Sequence, residues 1–158
     1  MTIYRLVVNG VEHKVDSWDP HQPLLHVLRN TLGLHAVKFG CGLGQCGSCV
    51  VLIDGKPANS CLTPVSAAAG KRITTLEGLG SPEKPHPVQA AFVAEQAAQC
   101  GYCTGGIVLS AAALLKRKPH PTQDEIKEAL AGHLCRCGSH DRVVRAVQRA
   151  AKEMGGRS

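Results

Sequence analysis

Eight cysteines, in two sets of unlike spacing, are the residues of this 158-residue chain best suited to chemistry. The first set is Cys41, Cys46, Cys49 and Cys61, spaced C-x4-C-x2-C with the fourth cysteine after eleven further residues. The first intervals are those of a plant-type [2Fe–2S] site. Three thiolates on one tight loop and a fourth from outside it can grip both irons of such a cluster. The residues between them are Gly42, Leu43, Gly44, Gln45, Gly47 and Ser48. Glycine lets the backbone pass close to inorganic sulfide and point N–H groups at it. Such bonds stabilise the reduced, more negative cluster and tune its potential. Disulfides and structural zinc are the plainer readings. The N-terminal stretch lacks the features of a secretion signal, which weakens the first. Zinc favours paired C-x2-C knuckles, from which a C-x4-C-x2-C arc departs.

The second set is Cys100, Cys103, Cys135 and Cys137, a C-x2-C followed much later by a C-x-C. Taken alone it serves zinc as well as an iron–sulfur cluster, and both readings stay open on spacing. Each pair falls at a junction between expected helices. Helix N-termini facing the thiolates would favour their negative charge.

Nothing else in the chain makes a convincing reactive group. None of the eight histidines forms a ligand pair at helical spacing. His133 and His140 flank a cysteine loop, and a satisfied or exposed role outweighs a proton-coupled one for a lone histidine. Glu77 follows a strand without a second acid, so capping accounts for it. Gly40-x-Gly42-x-Gly44 is not a dinucleotide fingerprint, because no strand-to-helix turn surrounds it. Ser48 has no neighbouring base. With no acid, base or substrate pocket, the substrate chemistry is assigned to a partner. Rival classes are a free-standing ferredoxin-type carrier and a zinc-stabilised interaction module.

The elements that must position the cysteines follow from pattern. Residues 3–16 alternate as strands around Asn9-Gly10, a strong hairpin signal. Residues 23–30 have helical spacing with a proline near the start. Residues 39–49 form the cysteine loop, 50–53 a strand ended by Asp54-Gly55, and a short strand lies near 72–75. Residues 78–87, with glycines, serine and three prolines, read as a linker. Helices are expected over 88–98, 107–116, 124–130 and 141–154. Thr122-x-x-Glu125 is a capping box for the third, and Arg142, Arg145 and Arg149 lie on or beside the outer face of the fourth. The expected organisation is α+β: residues 1–79 holding the first cysteine set, a linker over 80–87, and a four-helix unit over 88–158.

Two small units have thin cores and benefit from a metal staple. Aromatic residues make up only 3% of the chain, so the cores must be aliphatic. The formal charge of +6 raises the question of nucleic acid, but the cations are scattered and stacking aromatics are scarce. Two oxidised clusters at about −2 each would offset most of that charge. No apolar run is long enough to span a membrane. The opening MTIYRLVVNG has neither a charged n-region with an apolar run nor a twin-arginine pair, so no export signal is expected on this chain.

At its cysteine motifs the chain resembles the small iron–sulfur subunit of the xanthine dehydrogenase and aldehyde oxidoreductase, or molybdenum hydroxylase, family. The residues that carry the likeness are Lys38-Phe39-Gly40-Cys41-Gly42-Leu43-Gly44-Gln45-Cys46-Gly47-Ser48-Cys49, Ser60-Cys61, Thr75-Leu76-Glu77-Gly78-Leu79, Gln99-Cys100-Gly101-Tyr102-Cys103 and Leu134-Cys135-Arg136-Cys137-Gly138. They span nearly the whole chain, which looks most like the stand-alone small subunits of bacterial isoquinoline-, nicotinate- and aldehyde-oxidising enzymes. Three positions depart from the usual pattern: Thr104-Gly105-Gly106 where Thr-Pro-Gly is common, His133 where Asn is, and His140 where Tyr is.

The resemblance implies a β-grasp ferredoxin domain followed by a four-helix domain, each with one [2Fe–2S] cluster on its four cysteines. It implies a large partner subunit carrying molybdopterin, in the cytosine dinucleotide form, with Gln99 and Cys137 at the pterin contact. It implies electron flow from the molybdenum centre through the Cys100 set to the Cys41 set, then to a cytochrome c subunit or an FAD subunit, the cytochrome slightly favoured. It implies an aldehyde or an N-heteroaromatic as substrate, between which the sequence does not choose. It implies a bacterial setting: cytoplasmic, or at the inner membrane facing the periplasm if the complex is exported on a partner's signal.

Overall fold

In the computed structural model, which describes residues 1–155, the expected hairpin is present. Strands β1 (Thr2–Val8) and β2 (Val11–Ser17) pair antiparallel from Thr2↔Ser17 to Val8↔Val11. Asn9 (φ 51°) and Gly10 (φ 80°) fill the two left-handed positions that the tight turn requires. Asp54 (φ 50°) and Gly55 (φ 79°) repeat the device between β3 (Val50–Ile53) and β4 (Lys56–Asn59). β4 carries no alternating pattern and includes Pro57. It is an edge strand, the one place in a sheet where proline is readily tolerated. β5 (Arg72–Thr74) runs parallel to β1 and antiparallel to β3, giving the order β2-β1-β5-β3-β4.

The helix expected at 23–30 starts where Pro23 places it but is only partly α-helical. A single turn, α1 (Leu24–His26), widens into a π-turn over Val27–Thr31, with the Leu32 amide on the Val27 carbonyl. The chain then turns away at Gly33 (φ 68°). Leu24, Leu25, Val27 and Leu28 are fully buried and pack with Leu6, Val8, Val15, Val51, Ile73 and Val65 as the sheet-side core. Val65 belongs to a short helix, α2 (Val65–Ala68), that no pattern announces.

Four helices follow: α3 (Pro87–Ala94), α4 (Thr104–Arg117), α5 (Gln123–Ala129) and α6 (His140–Gly155). Pro87, read as part of the linker, is the opening residue of α3, where its missing N–H is harmless. His86 caps it: its Nδ1 accepts from the Val88 amide at 3.2 Å, and Gln89 Oε1 accepts from the His86 amide at 2.9 Å. α3 stops at Ala94, short of the expected 98, because Gln96 takes a left-handed φ of 51°. The capping box on α5 forms as expected, Glu125 Oε2 accepting from Thr122 N at 2.7 Å and Thr122 Oγ1 from Glu125 N at 3.3 Å.

α4 is buried without interruption from Gly105 through Ala112. Such all-round burial marks a central helix. It packs against α3 and α5 on one side and against β3 and β4 on the other, so it joins the helical core to the sheet. The outer arginines of α6 do more than face water. Arg149 Nη1 lies 3.2 Å and Arg145 Nε 3.7 Å from the carboxylate of Glu95, and Arg142 Nη1 donates to the Gln96 carbonyl at 3.5 Å. They tie α6 to the end of α3. Among the described residues no helix is long and apolar enough to cross a membrane.

Candidate metal centres

The hairpin β3–β4 explains how a cysteine outside the loop joins the first set. Val50 pairs with Asn59, so Cys49, just before β3, and Cys61, just after β4, emerge at the same end of the hairpin. Ser60 fastens this end, donating through its hydroxyl to the Cys49 carbonyl at 2.6 Å. Within the loop, the amides of Leu43 and Gln45 donate to Cys41 Sγ at 3.3 and 3.2 Å, and the Cys41 amide to Cys46 Sγ at 3.4 Å. Gly42, Gly44 and Gly47 all have positive φ, the conformation that turns these N–H groups inward. Side chains would crowd the loop at two glycines: a Cβ on Gly40 would lie 2.5 Å from Cys46 Sγ, and one on Gly44 2.5 Å from Leu62 Cδ1.

The second set lies in the connections between helices, α3 to α4 and α5 to α6. Cys103 is the N-cap residue of α4, and Cys135 and Cys137 lie in the turn before α6. Tyr102 N donates to Cys100 Sγ at 3.5 Å, and Ser139 Oγ lies 3.2 Å from Cys135 Sγ. Cys100 interacts with Cys137, and Cys103 with Cys135, so the C-x2-C and C-x-C motifs face each other.

Six of the thiols are shifted, three downward and three upward. The Leu43 and Gln45 amides hold Cys41 down at about 6. At Cys135, burial works upward, but the hydroxyl and amide of Ser139 prevail and bring it to about 6. Cys100 is lowered, chiefly by the Tyr102 amide. Burial instead pushes Cys49 and Cys103 up to about 11. Each set thus combines thiols ready to ionise with buried ones that need a metal cation beside them. None of the eight cysteines is paired in a disulfide. Among the described residues, no three His, Cys, Asp or Glu side chains converge on one ion position. A binuclear cluster spreads its thiolates over two irons and needs no such convergence. All-sulfur donors, inward amides and a loop with no space for a Cβ between Gly40 and Cys46 Sγ fit a [2Fe–2S] group at the first set. The second has the donors and fewer amides.

The two loops touch. The Leu134 amide, next to Cys135, donates to the carbonyl of Cys46 at 3.0 Å. The Tyr102 hydroxyl donates to the Phe39 carbonyl. Gly105 passes close enough to Ala36 that a Cβ would sit 3.0 Å from its carbonyl oxygen, and a Cβ on Gly106 would sit 2.2 Å from that of Gly47. The departure Thr104-Gly105-Gly106 therefore lies at the contact between the halves.

Gln99 is exposed beside the exposed Cys100, and Cys137 is half-buried. Glu77 does not cap its own turn. It accepts from the Ala36 amide at 3.1 Å and from the Thr75 hydroxyl at 2.9 Å, tying the approach to the cysteine loop to the chain after β5. His140 is exposed at the start of α6. His133 is buried at 7% exposure, and that burial lowers its pKa to about 4, so the ring is neutral. Sequence reasoning missed Ser110 and Ser139. Ser139 had a signal, standing four residues after Cys135; Ser110, mid-helix, had none.

Comparison with known proteins agrees with this geometry. Residues 6–75 match the 2Fe-2S iron-sulfur cluster binding domain, and residues 75–148 the [2Fe-2S] binding domain. The chain is 54% identical to one of the subunits of the nicotinate dehydrogenase of Pseudomonas putida, covering 96% of each. It is 50% identical to the alpha chain of the isoquinoline 1-oxidoreductase of Brevundimonas diminuta, covering 93% of this chain and 96% of that one. The aldehyde oxidoreductase structure from Desulfovibrio desulfuricans superposes with a TM-score of 0.94 at 40% identity, over 99% of this chain and 17% of that longer one.

Proposed function

Because this chain belongs to the iron–sulfur subunits of molybdenum hydroxylase-type oxidoreductases, we propose that it binds two [2Fe–2S] clusters in series. Cys41, Cys46, Cys49 and Cys61 hold one, and Cys100, Cys103, Cys135 and Cys137 the other. When bound, each cluster takes up and releases one electron at a time. The protein's own contribution is position. Amides of Leu43, Gln45 and Tyr102 aim at ligand sulfurs and favour the more negative state. The observation that carries the reading is the 3.0 Å bond from the Leu134 amide to the Cys46 carbonyl, a single hydrogen bond between residues at the two ligand sets.

The proposed units are residues 1–79, a linker over 80–87 whose last residue, Pro87, already opens α3, and residues 88–158. The proposed partner is a large subunit carrying molybdopterin, as the cytosine dinucleotide, with Gln99 and Cys137 at its pterin. The exposure of Gln99 and Cys100 supports this, as do the uncovered apolar side chains of Val93, Tyr102 and Leu134. Electrons enter at the Cys100 set and leave from the Cys41 set to a cytochrome c, in preference to a flavin subunit. The substrate is an N-heteroaromatic or an aldehyde, the classes named for the relatives. The complex is bacterial, cytoplasmic or facing the periplasm at the inner membrane.

Low-temperature EPR of the dithionite-reduced chain, with iron and acid-labile sulfide assayed on the same sample, tests this. Two distinct S = 1/2 signals with about four irons and about four sulfides per chain are expected. One signal together with bound zinc would return the Cys100 set to a structural zinc site. Colourless protein without sulfide, purified without air, would end the electron-transfer reading.

A further inference from the structure

His133 is not among the proposed ligands, yet it is buried between the two cysteine loops. Its imidazole makes one polar contact, Nε2 to Ser110 Oγ at 2.8 Å, and Ser110 is itself 4% exposed at the middle of α4. The opposite edge of the ring faces Gly47, between ligand candidates Cys46 and Cys49. A Cβ on Gly47 would lie 2.4 Å from His133 Nδ1 and 2.9 Å from Cγ. A Cβ on Gly106 would lie 3.4 Å from His133 Cε1. Nδ1 is buried and has no hydrogen-bond partner, so shape, not polarity, fixes that side of the ring.

The main chain at the same residue is equally constrained. The His133 amide bonds the Leu130 carbonyl at 3.0 Å, the next amide bonds Cys46, and Cys135 follows directly. The ring therefore fills the gap among α4, the first cysteine loop and the stretch of chain entering the second. Interiors are packed too tightly for such a spacer to be removed without movement.

We propose that His133, oriented by Ser110, is a positioning residue that sets the separation of the two cluster-binding loops and keeps the Leu134–Cys46 hydrogen bond in register. The inference rests on the two-cluster reading and adds to it the residue that fixes the distance over which electrons cross.

The test uses the complete complex with its partner subunits. Both clusters are fully reduced, and the spin–spin splitting between their EPR signals is measured in wild type, His133→Ala and Ser110→Ala, with iron and sulfide assayed in each. Dipolar splitting varies steeply with the distance between the spins. The expected result is a full cluster content in both variants with the splitting shifted from the wild-type value, more in His133→Ala. Splitting unchanged in both variants overturns the proposal. Should His133→Ala lose a cluster, Ser110→Ala decides, because it keeps the ring and removes only its partner: a shifted splitting supports the proposal and an unchanged one overturns it. Cluster loss in both variants also overturns it, since His133 would then serve assembly and not spacing. A wild-type complex without two reduced-cluster signals defeats the two-cluster reading, and this inference with it.

Discussion

Asn9 and Thr75, 66 positions apart, hold each other by two hydrogen bonds: Asn9 Nδ2 donates to Thr75 Oγ1 at 2.9 Å and Thr75 N donates to Asn9 Oδ1 at 2.9 Å. The first hairpin turn is thereby fastened to the point where the chain leaves the sheet, and Thr75 in turn reaches Glu77 and the approach to the cysteine loop. Thr75 is fully buried. Asn9→Gly keeps the left-handed turn and removes both bonds, leaving the Thr75 amide without its partner. The expected loss is about 1–3 kcal/mol. It would appear as a lower denaturant midpoint at unchanged slope, and an unchanged midpoint would mean the clasp adds nothing.

His86 makes the stability of α3 sensitive to acid. Its Nδ1 accepts from the Val88 amide, which only the unprotonated ring can do. Burial lowers its pKa below the usual 6.5. The folded state thus binds this proton less readily than the unfolded chain does. The contribution is complete above 6.5 and declines as pH falls below 6.5 toward the lowered folded value. His86→Asn retains a capping acceptor without the titration. The melting temperature of the variant should fall less than the wild type's between pH 7 and pH 5 (about the span of an ordinary histidine titration). Parallel curves would show that His86 is not the group responsible.

What the sequence made legible was local. Asn9-Gly10 and Asp54-Gly55 each contain the left-handed pair that a tight hairpin needs, and Thr122 with Glu125 forms a cap within one turn. Cysteine spacing marked the C-x4-C-x2-C, C-x2-C and C-x-C runs because those intervals are short-range; the hairpin brings Cys61 to the first run, and the helical half brings the other two together. The rest depended on contacts the pattern does not encode. β4 exists because β3 pairs with it, not because its residues alternate. α3 ends early through the backbone of Gln96, and histidine at its N-cap sends no common signal. Gly105 read as a departure from a familiar motif, and Gly106 as part of it. Only the approach of Ala36 and Gly47 from the other half gives them a physical reason.

Ligand removal should separate the two sets. Cys61 is supplied by the far end of a hairpin and Cys137 by the turn before α6, so neither substitution disturbs the other loop directly. Cys61→Ala should abolish one reduced-cluster EPR signal and Cys137→Ala the other, each with about half of the iron and sulfide lost. In the complete complex, Cys137→Ala should also prevent substrate from reducing the Cys41 set. Continued turnover of that variant with its physiological acceptor would refute the proposed order of transfer.

Gly47 allows a comparison of strain with collision. Gly10 (φ 80°) and Gly47 (φ 77°) share a left-handed backbone, but a Cβ on Gly10 meets nothing within 4 Å. Gly10→Ala should therefore lose only the conformational penalty, about 1–2 kcal/mol, with full cluster content. A Cβ on Gly47 would come within 2.7 Å of the Gly132 carbonyl oxygen as well as 2.4 Å of the His133 ring. The first of these is backbone, which cannot swing aside. Gly47→Ala must then push the first cysteine loop away from the segment leading to Cys135, stretching the Leu134–Cys46 bond. Iron and sulfide assays with EPR on both variants check this. Gly47→Ala should lose or perturb the signal of the Cys41 set where Gly10→Ala leaves it intact, and equal spectra would show that the loops are not in the contact described.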